Sequence, residues 1–350
     1  MRKRLVNKVR DEIFEKTLTD GGNVCIITIV YIYYICKGFA MDRNLKTKIA
    51  FFYHTCGMTQ EEIAARLSLT RQKVNAVIGM LKEEGIVSIT ICGNDDGCVE
   101  LECALEQKFG LPRALVAPSY DDPAVTLLKV ANTAAQYLEQ VIGSGDRVGV
   151  SWGRTLRTVV REMRFRKKKN CLVVQLMGAQ SMEGHGTKSD DIVRSLAEKL
   201  DCPNYLLYAP VLVSRRETRA LLAEEKPIRH AFAMMRECNI GVFGIGAVCE
   251  DAPMHRLGYL SDGDIAQLRR DGFVADIGLN PVRADGSMDG CFLSERLINA
   301  DAETIRGMEN AIGIASGIEK AEAVAAVLRS GLLNTLIIDR ALAEAVLANQ

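Results

Sequence analysis

Two stretches of this 350-residue chain place hydroxyl, glycine and basic residues where a strand gives way to a helix. In VGVSWGRTL (148–156) an apolar run breaks at Ser151, Gly153 follows, and a helix begins near Thr155. Gly153 permits close backbone approach, while Ser151, Thr155 and the unpaired amides of the helix start can all donate hydrogen bonds. In IGIASGIEKAEAV (312–324) a second apolar run ends at Ser316-Gly317, and Lys320 falls in the first turn of the helix that follows. A lysine there opposes the helix dipole, a placement that makes sense with an anion in front of it. A single strand-to-helix turn with a glycine is commonplace and says little. Two of them, each with hydroxyls and a basic residue, point to a small phosphorylated or polyhydroxylated ligand.

Other residues carry weaker signals. Gly178 follows a strand in LMGAQS and reads either as part of the same rim or as a simple turn. Asp276 in ADIGLNPV sits at a strand end with Asn280 in the next loop. It suits either sugar hydroxyls or a cap or turn. Trp152 has the ring to stack on a sugar, although a core role is commoner. His185 in EGHGTK reads as a surface residue. The basic run REMRFRKKK (161–169) reads as a solvated helix end, with contact to a DNA backbone as the lesser alternative. Cys92, Cys98 and Cys103 cluster loosely, but no CxxC pair and no partnering histidines accompany them, so no metal is expected.

The elements that must position these residues alternate. Strands are expected at 114–118, 146–150, 171–177, 204–209, 239–246, 273–278, 311–316 and 334–339. Helices are expected at 101–110, 121–142, 155–163, 190–200, 215–224, 263–270, 319–329 and 340–348. Short continuous apolar strands alternating with helices predict an α/β fold, a mainly parallel sheet covered on both faces. Ligands then bind at the carboxyl ends of the strands, where both turns fall.

The chain before this region has another texture. Leu45, Ile49, Phe52 and Tyr53 form a helical stripe that Gly57 ends. Thr59 with Glu62 makes a capping box for a helix over 60–67 with Ile63, Ala64 and Leu67 inward. Ser68-Leu69 is a tight turn. Thr70 caps a third helix whose inward residues are Val74, Val77, Ile78 and Leu81, and Gly85 stops it. IVSITI (86–91) reads as a strand. Three helices with a short second turn, then a strand, make a winged helix-turn-helix. Its recognition helix presents Thr70, Arg71, Gln72, Lys73 and Asn75, all able to donate to bases or phosphates. Lys+Arg and Asp+Glu are equal at 44 each, so nucleic acid must be held by this local patch rather than by a global field. The alternative is a protein-interaction module.

An odd number of cysteines, 11, without a regular framework suggests reduced thiols in a cytoplasmic protein. The apolar run VCIITIVYIYYIC (24–36) is shorter than the roughly 20 residues a spanning helix needs, so no membrane partner is expected. Residues 1–40 read as an N-terminal extension with the domain beginning at Met41. The expected organisation is then 41–91 for the DNA-binding domain, 92–100 for a polar junction, and 101–350 for ligand binding and oligomerisation.

The stretches MTQEEIAARLSLTRQKVNAVIGMLKEEGIVSI, VGVSWGRTL and IGIASGIEKAEAVAAVLRSGLLNTLIID resemble three signature regions of the SorC-type sugar-binding transcriptional regulators, in family order and at family spacing. The resemblance runs from about Met41 to the C-terminus. It implies a winged helix-turn-helix and an effector domain similar in fold to phosphosugar isomerases. It also implies a homotetramer that binds operator DNA and responds to a phosphorylated sugar or related metabolite. By position it assigns effector contacts to Ser151, Gly153, Arg154 and Thr155, and to Gly317 and Lys320. Family members often carry two glycines where this chain has Ser316-Gly317 and Gly178-Ala179, which leaves the effector's identity open. The recognition helix TRQKVN resembles members associated with sugar-alcohol catabolism and so suggests a polyol-derived effector.

The rival reading is a phosphosugar isomerase or deaminase with an added DNA-binding-like domain. Such chemistry needs a carboxylate or histidine base over a substrate C–H. Asp276 is the attractive base at a strand end, and none of His54, His185, His230 and His255 shows an evident aspartate pairing in sequence. The regulator reading uses both parts of the chain, with no catalytic residue and no cofactor, whereas the enzyme reading leaves residues 41–91 idle.

Overall fold

The computed structural model describes residues 42–87, 98–179 and 189–349. The chain divides into two compact units, Met1–Gly93 and Asn94–Gln350. The apolar run 24–36, most of the expected strand 86–91, Cys92 and His185 lie outside the described residues.

In the first unit, helix α1 (Arg43–Ala50) passes into a π-helical turn (Phe51–Thr55), which Gly57 ends with φ 66°. Helix α2 spans Gln60–Leu67 and α3 spans Arg71–Leu81. The capping box is present in both directions. Glu62 N donates to Thr59 Oγ1 (3.3 Å), and Thr59 N donates to Glu62 Oε2 (2.8 Å). Ser68 adopts φ 53°, which lets the chain turn between α2 and α3 in very few residues. Ile49, Ala50, Ile63, Ala64, Val74, Val77 and Leu81 are buried together. The small side chain of Ala64 suits a close helix crossing. Ile86 and Val87, the described start of the expected wing strand, are not in a strand.

The second unit opens with α4 (Cys98–Phe109) and β1 (Arg113–Ala117), followed by α5 (Pro123–Val141), β2 (Arg147–Val150), α6 (Arg154–Glu162) and β3 (Leu172–Gln175). Then come α7 (Ser189–Leu200), β4 (Asn204–Tyr205), α8 (Arg216–Glu224), α9 (Lys226–Arg236) and β5 (Ile240–Ala247). Helices α10 (Pro253–Arg256) and α11 (Asp262–Arg270) lead into β6 (Phe273–Ile277), β7 (Asn280–Arg283) and α12 (Ala302–Arg306). The chain ends with β8 (Asn310–Ile314), a 3-10 turn (Ile318–Lys320), α13 (Ala321–Arg329), β9 (Thr335–Asp339) and α14 (Arg340–Ala348).

The sheet runs β1-β9-β8-β5-β2-β3-β4, parallel throughout. Alternate residues of each strand feed opposite faces. Val148, Val150, Ile240, Val242, Ile312, Ile314 and Ile337 pack with α5, α6 and α7. Phe243, Ile245, Ala311, Leu336 and Ile338 pack with α4, α9, α13 and α14. This two-sided burial is why the strands read as continuous apolar runs.

Three expectations change. The segment 273–278 does not join the parallel array. It pairs antiparallel with the end of β5, Gly246 opposite Asp276, and turns through Gly278 and Leu279 (φ 55° and 64°) into β7. Two positive-φ residues in a two-residue loop match the twist of a hairpin. The expected strand 204–209 shortens to two paired residues at the sheet edge. Helix α9 follows α8 with only Glu225 between them, so one polar stretch conceals two helices.

Chain ends are tied within this unit. Lys108, near the end of α4, donates through Nζ to the carbonyls of Leu347, in the last turn of α14, and Asn349, just past it, each at 2.8 Å. These carbonyls have no partner within their helix, so a lysine suits them on both hydrogen-bond and dipole grounds.

Candidate functional site

The strand order reverses between β2 and β5. From β2 the chain proceeds to β3 and β4 on one side, and from β5 to β8 and β9 on the other. Connections diverge at such a switch point and leave a crevice beyond the carboxyl ends. Both turns singled out in the sequence lie at these carboxyl ends, one after β2 and the other after β8, on either side of β5.

Ser151 ties the two central strands. Its N–H donates to the Val242 carbonyl (3.0 Å), and its Oγ accepts from Gly244 N–H (3.2 Å). The side chain is buried, and its own hydroxyl proton remains available to donate. Gly153 begins α6 with φ 143°, and no side chain caps that helix. A Cβ placed on Gly153 would meet nothing within 4 Å, so the crevice is open there. Arg154 is exposed and Thr155 half-buried.

On the neighbouring turn, Gly317 has φ 104°, and Lys320 N–H donates to its carbonyl at 3.1 Å. The Lys320 ammonium is half-buried, and its pKa falls below the usual lysine value. Loss of water is the main cause. The charge of Arg154 adds to it, while Glu319 and Asp276 oppose it. Arg154, Lys320, Glu319 and Asp276 therefore share one electrostatic neighbourhood, drawn from three separate turns.

Asp276 is pushed up to about 6. Burial is the chief cause, partly countered by the Leu279 N–H that its carboxylate accepts (3.3 Å) and by Lys320. Its side chain lies over Gly246, where any Cβ would collide with the carboxyl oxygens. Gly246 thus makes room for an acid near neutrality. This spatial role has no local sequence signal, and neither has the influence of Glu319 and Cys249 on Lys320. Asp276 also serves its own hairpin turn, so the turn role read from sequence is present too.

Gly178 has a packing reason. A Cβ there would strike the carbonyl oxygens of Ala209 and Pro210 at 2.7 and 2.6 Å, and its N–H donates to Ile298 (2.8 Å). It is buried against backbone. Trp152 is half-buried between two apolar clusters. An open groove of about 320 Å³ lies elsewhere, by Arg194, Tyr205, Tyr208 and Ile228. Charged groups do not converge there as they do at the switch point. Among the described residues, no group of three or more His, Cys, Asp or Glu could hold a metal ion.

In the first unit, Thr70 caps α3 by accepting Lys73 N–H (3.3 Å). Arg71, Gln72, Lys73 and Asn75 are all exposed. Two have neighbours on α2: Arg71 pairs with Glu61 at 2.9 Å, and Asn75 Oδ1 accepts from Gln60 (3.2 Å). The acid beside Arg71 comes from the preceding helix, so reading α3 alone misses it.

Residues 52–88 match the family model for winged helix-turn-helix DNA-binding. Residues 94–348 match the sugar-binding domain model, which covers well over half of the chain. The chain belongs to the SorC-type sugar-binding transcriptional regulators. Among curated members of known proteins, it is 29% identical to the deoxyribonucleoside regulator of Bacillus subtilis over 87% of this chain and 99% of that one. It is 28% identical to the erythritol catabolism regulatory protein EryD of Brucella abortus over 87% and 97%. The full-length sorbitol operon regulator SorC from Klebsiella pneumoniae aligns at TM-score 0.68 and 26% identity, over 88% of this chain and 99% of that one. A DeoR family regulator from Listeria monocytogenes aligns at TM-score 0.66 and 28% identity, over 71% and 99%. This SorC-type regulator is thus a DNA-binding transcriptional regulator with a sugar-binding domain. No helix among its described residues is long and apolar enough to cross a membrane.

Proposed function

We propose that this regulator binds operator DNA through Arg71, Gln72, Lys73 and Asn75, under control of a phosphorylated sugar or polyol held at the switch point. The observation that carries this reading is the convergence of Arg154 and Lys320 beside two glycine turns at the carboxyl ends of β2 and β8. The phosphate lies between 151–155 and 316–320. Lys320 supplies charge, Ser151 and Thr155 supply hydroxyls, and Gly153 and Gly317 supply close backbone approach. The hydroxyls of the sugar meet Asp276. Gly178 shapes the rim from behind. The relatives named for erythritol, sorbitol and deoxyribonucleosides favour a small polyhydroxylated effector from a catabolic pathway. The protein acts in the cytoplasm as a homotetramer, without a cofactor and without catalysis.

The effector changes operator affinity only in so far as it prefers one arrangement of the protein over another. The test is titration of operator-bound protein with the monophosphates of erythritol, sorbitol and deoxyribose. Lys320→Ala should weaken effector binding about ten- to hundredfold and leave effector-free operator binding intact. Unchanged effector sensitivity would place the ligand elsewhere.

One observation favours an isomerase or deaminase reading: a carboxyl whose pKa near 6 suits a general base. The described histidines are otherwise engaged. His54 lies against Tyr53, His230 against Tyr205, and His255 against Asp262 and the Glu250 carbonyl. Steady turnover of a phosphosugar that Asp276→Asn abolishes would establish the enzyme instead.

A further inference from the structure

Asp339, the last residue of β9, is only 1% exposed. A carboxylate so withdrawn from water must have each oxygen satisfied. Oδ1 accepts from Ser119 Oγ (2.9 Å) and from Leu342 N–H (3.1 Å). Oδ2 accepts from Gly317 N–H (2.8 Å). Ser119 Oγ in turn accepts from Ala341 N–H (2.8 Å).

A helix cap needs only one oxygen. Asp301 caps α12 in that way, exposed, with Oδ1 on Thr304 N–H. Asp339 caps α14 with one oxygen and commits the other to a peptide 22 residues earlier in the chain. That peptide belongs to the turn that carries Lys320, whose own N–H returns to the Gly317 carbonyl. Gly317 sits at φ 104°, a conformation not self-maintaining in a short loop, since glycine has many alternatives. The fixed acceptor beneath its N–H selects one.

We infer that Asp339 is a positioning residue for the effector site: its second carboxylate oxygen holds the Gly317 peptide so that Lys320 and the turn amides face the crevice. The inference rests on the proposed effector site at the two turns. Asp339 contacts no effector itself. It acts through Gly317.

The isosteric variant Asp339→Asn separates this role from capping. With the amide oxygen kept toward Leu342 and Ser119, the amide NH₂ faces Gly317 N–H, and two donors oppose each other. The variant therefore keeps its helix cap and pushes the effector turn away. Effector affinity, read with the same sugar and polyol monophosphates, should fall about tenfold, with effector-free operator affinity unchanged. Ser119→Ala removes a donor from the other oxygen. It should lower melting temperature and leave effector affinity within twofold. Asp339→Ser retains a capping oxygen but cannot reach Gly317, and serves as a second route should the amide variant fold poorly. Equal effector loss in Ser119→Ala and Asp339→Asn would show a merely structural role and overturn the inference. If Lys320→Ala weakens the effector and neither Asp339 variant does, this inference alone falls. If none of them does, the site lies elsewhere and both readings fall.

Discussion

The surface proposed to read DNA and the crevice proposed to hold the effector are built in opposite ways. Thr70, Arg71, Gln72, Lys73 and Asn75 stand in water, and the pairings of two of them are with groups at the surface: Arg71 with Glu61, and Asn75 with Gln60. Such contacts exchange for phosphates and bases at little cost, because the ions never leave solvent. At the crevice, Lys320 and Asp276 are already half-withdrawn from water, and both are shifted toward their neutral forms. Part of the desolvation cost is met by folding, so a bound anion gains from a charge that water screens weakly. Affinity for a small ligand needs that preparation. A long polymer with many phosphates does not.

The contrast breaks most visibly through the cores beneath the two surfaces. Among the described residues, seven buried side chains hold the three helices of the first unit, against a sheet covered on both faces in the second. Leu81→Ala should cost about 2–5 kcal/mol, a large share of what so small a unit possesses. Operator binding should disappear in a mobility-shift assay, while effector-induced thermal shift of the second unit survives. Normal operator binding by this variant would mean that the recognition surface does not depend on its small core.

A smaller effect sharpens the electrostatic side. Arg71→Ala should lose on the order of 1–3 kcal/mol and relax sequence preference at one base position, measured by binding to a panel of operator variants. Glu61→Ala should act in the opposite direction, tightening binding by a few tenths of a kcal/mol as it frees Arg71 from an exposed pair. If both variants weaken binding alike, the ion pair pre-forms the recognition surface instead of competing with DNA.

How much of this contrast could be read in advance differs between the regions for a physical reason. Helices α2 and α3 are specified by neighbours in sequence. Thr59, Glu62 and Thr70 lie within one turn of the amides they satisfy, so their starts were legible to the residue. The strand-to-helix turns were legible as well, since glycine, hydroxyl and lysine are local. What those turns face was not. An alternating apolar pattern does not record direction, so β6 read as another parallel strand. Its partner β7 contains Pro281, which weakens any strand reading. Asp276 was visible as an acid at a strand end, but its shifted pKa depends on Gly246 across a hairpin. Asp339 before RALAEAVLA signals a cap and nothing more. Its second partner is fixed only when β8 and β9 pair.

A further effect concerns Asp276 and pH. Its folded pKa of about 6 exceeds the roughly 3.9 of an unfolded aspartate, so the unfolded chain ionises first. Stability from the protonated form is complete below about pH 4, declines through about pH 6, and is lost above it. Asp276→Asn should therefore gain melting temperature relative to wild type across that window, by a few degrees at most, then hold a constant difference. A wild-type advantage that grows with pH would show the ionised carboxylate to be stabilising and remove the crevice's distinction from the recognition helix.

Helix α14 leaves the carboxyl end of β9 beside the crevice and runs back along the sheet for nine residues, about 14 Å. Lys108 clasps its far end. The chain's last described residues thus come to rest at the end of the sheet away from the carboxyl ends of its strands. An affinity tag or surface tether attached there will hold this unit by that end of the sheet.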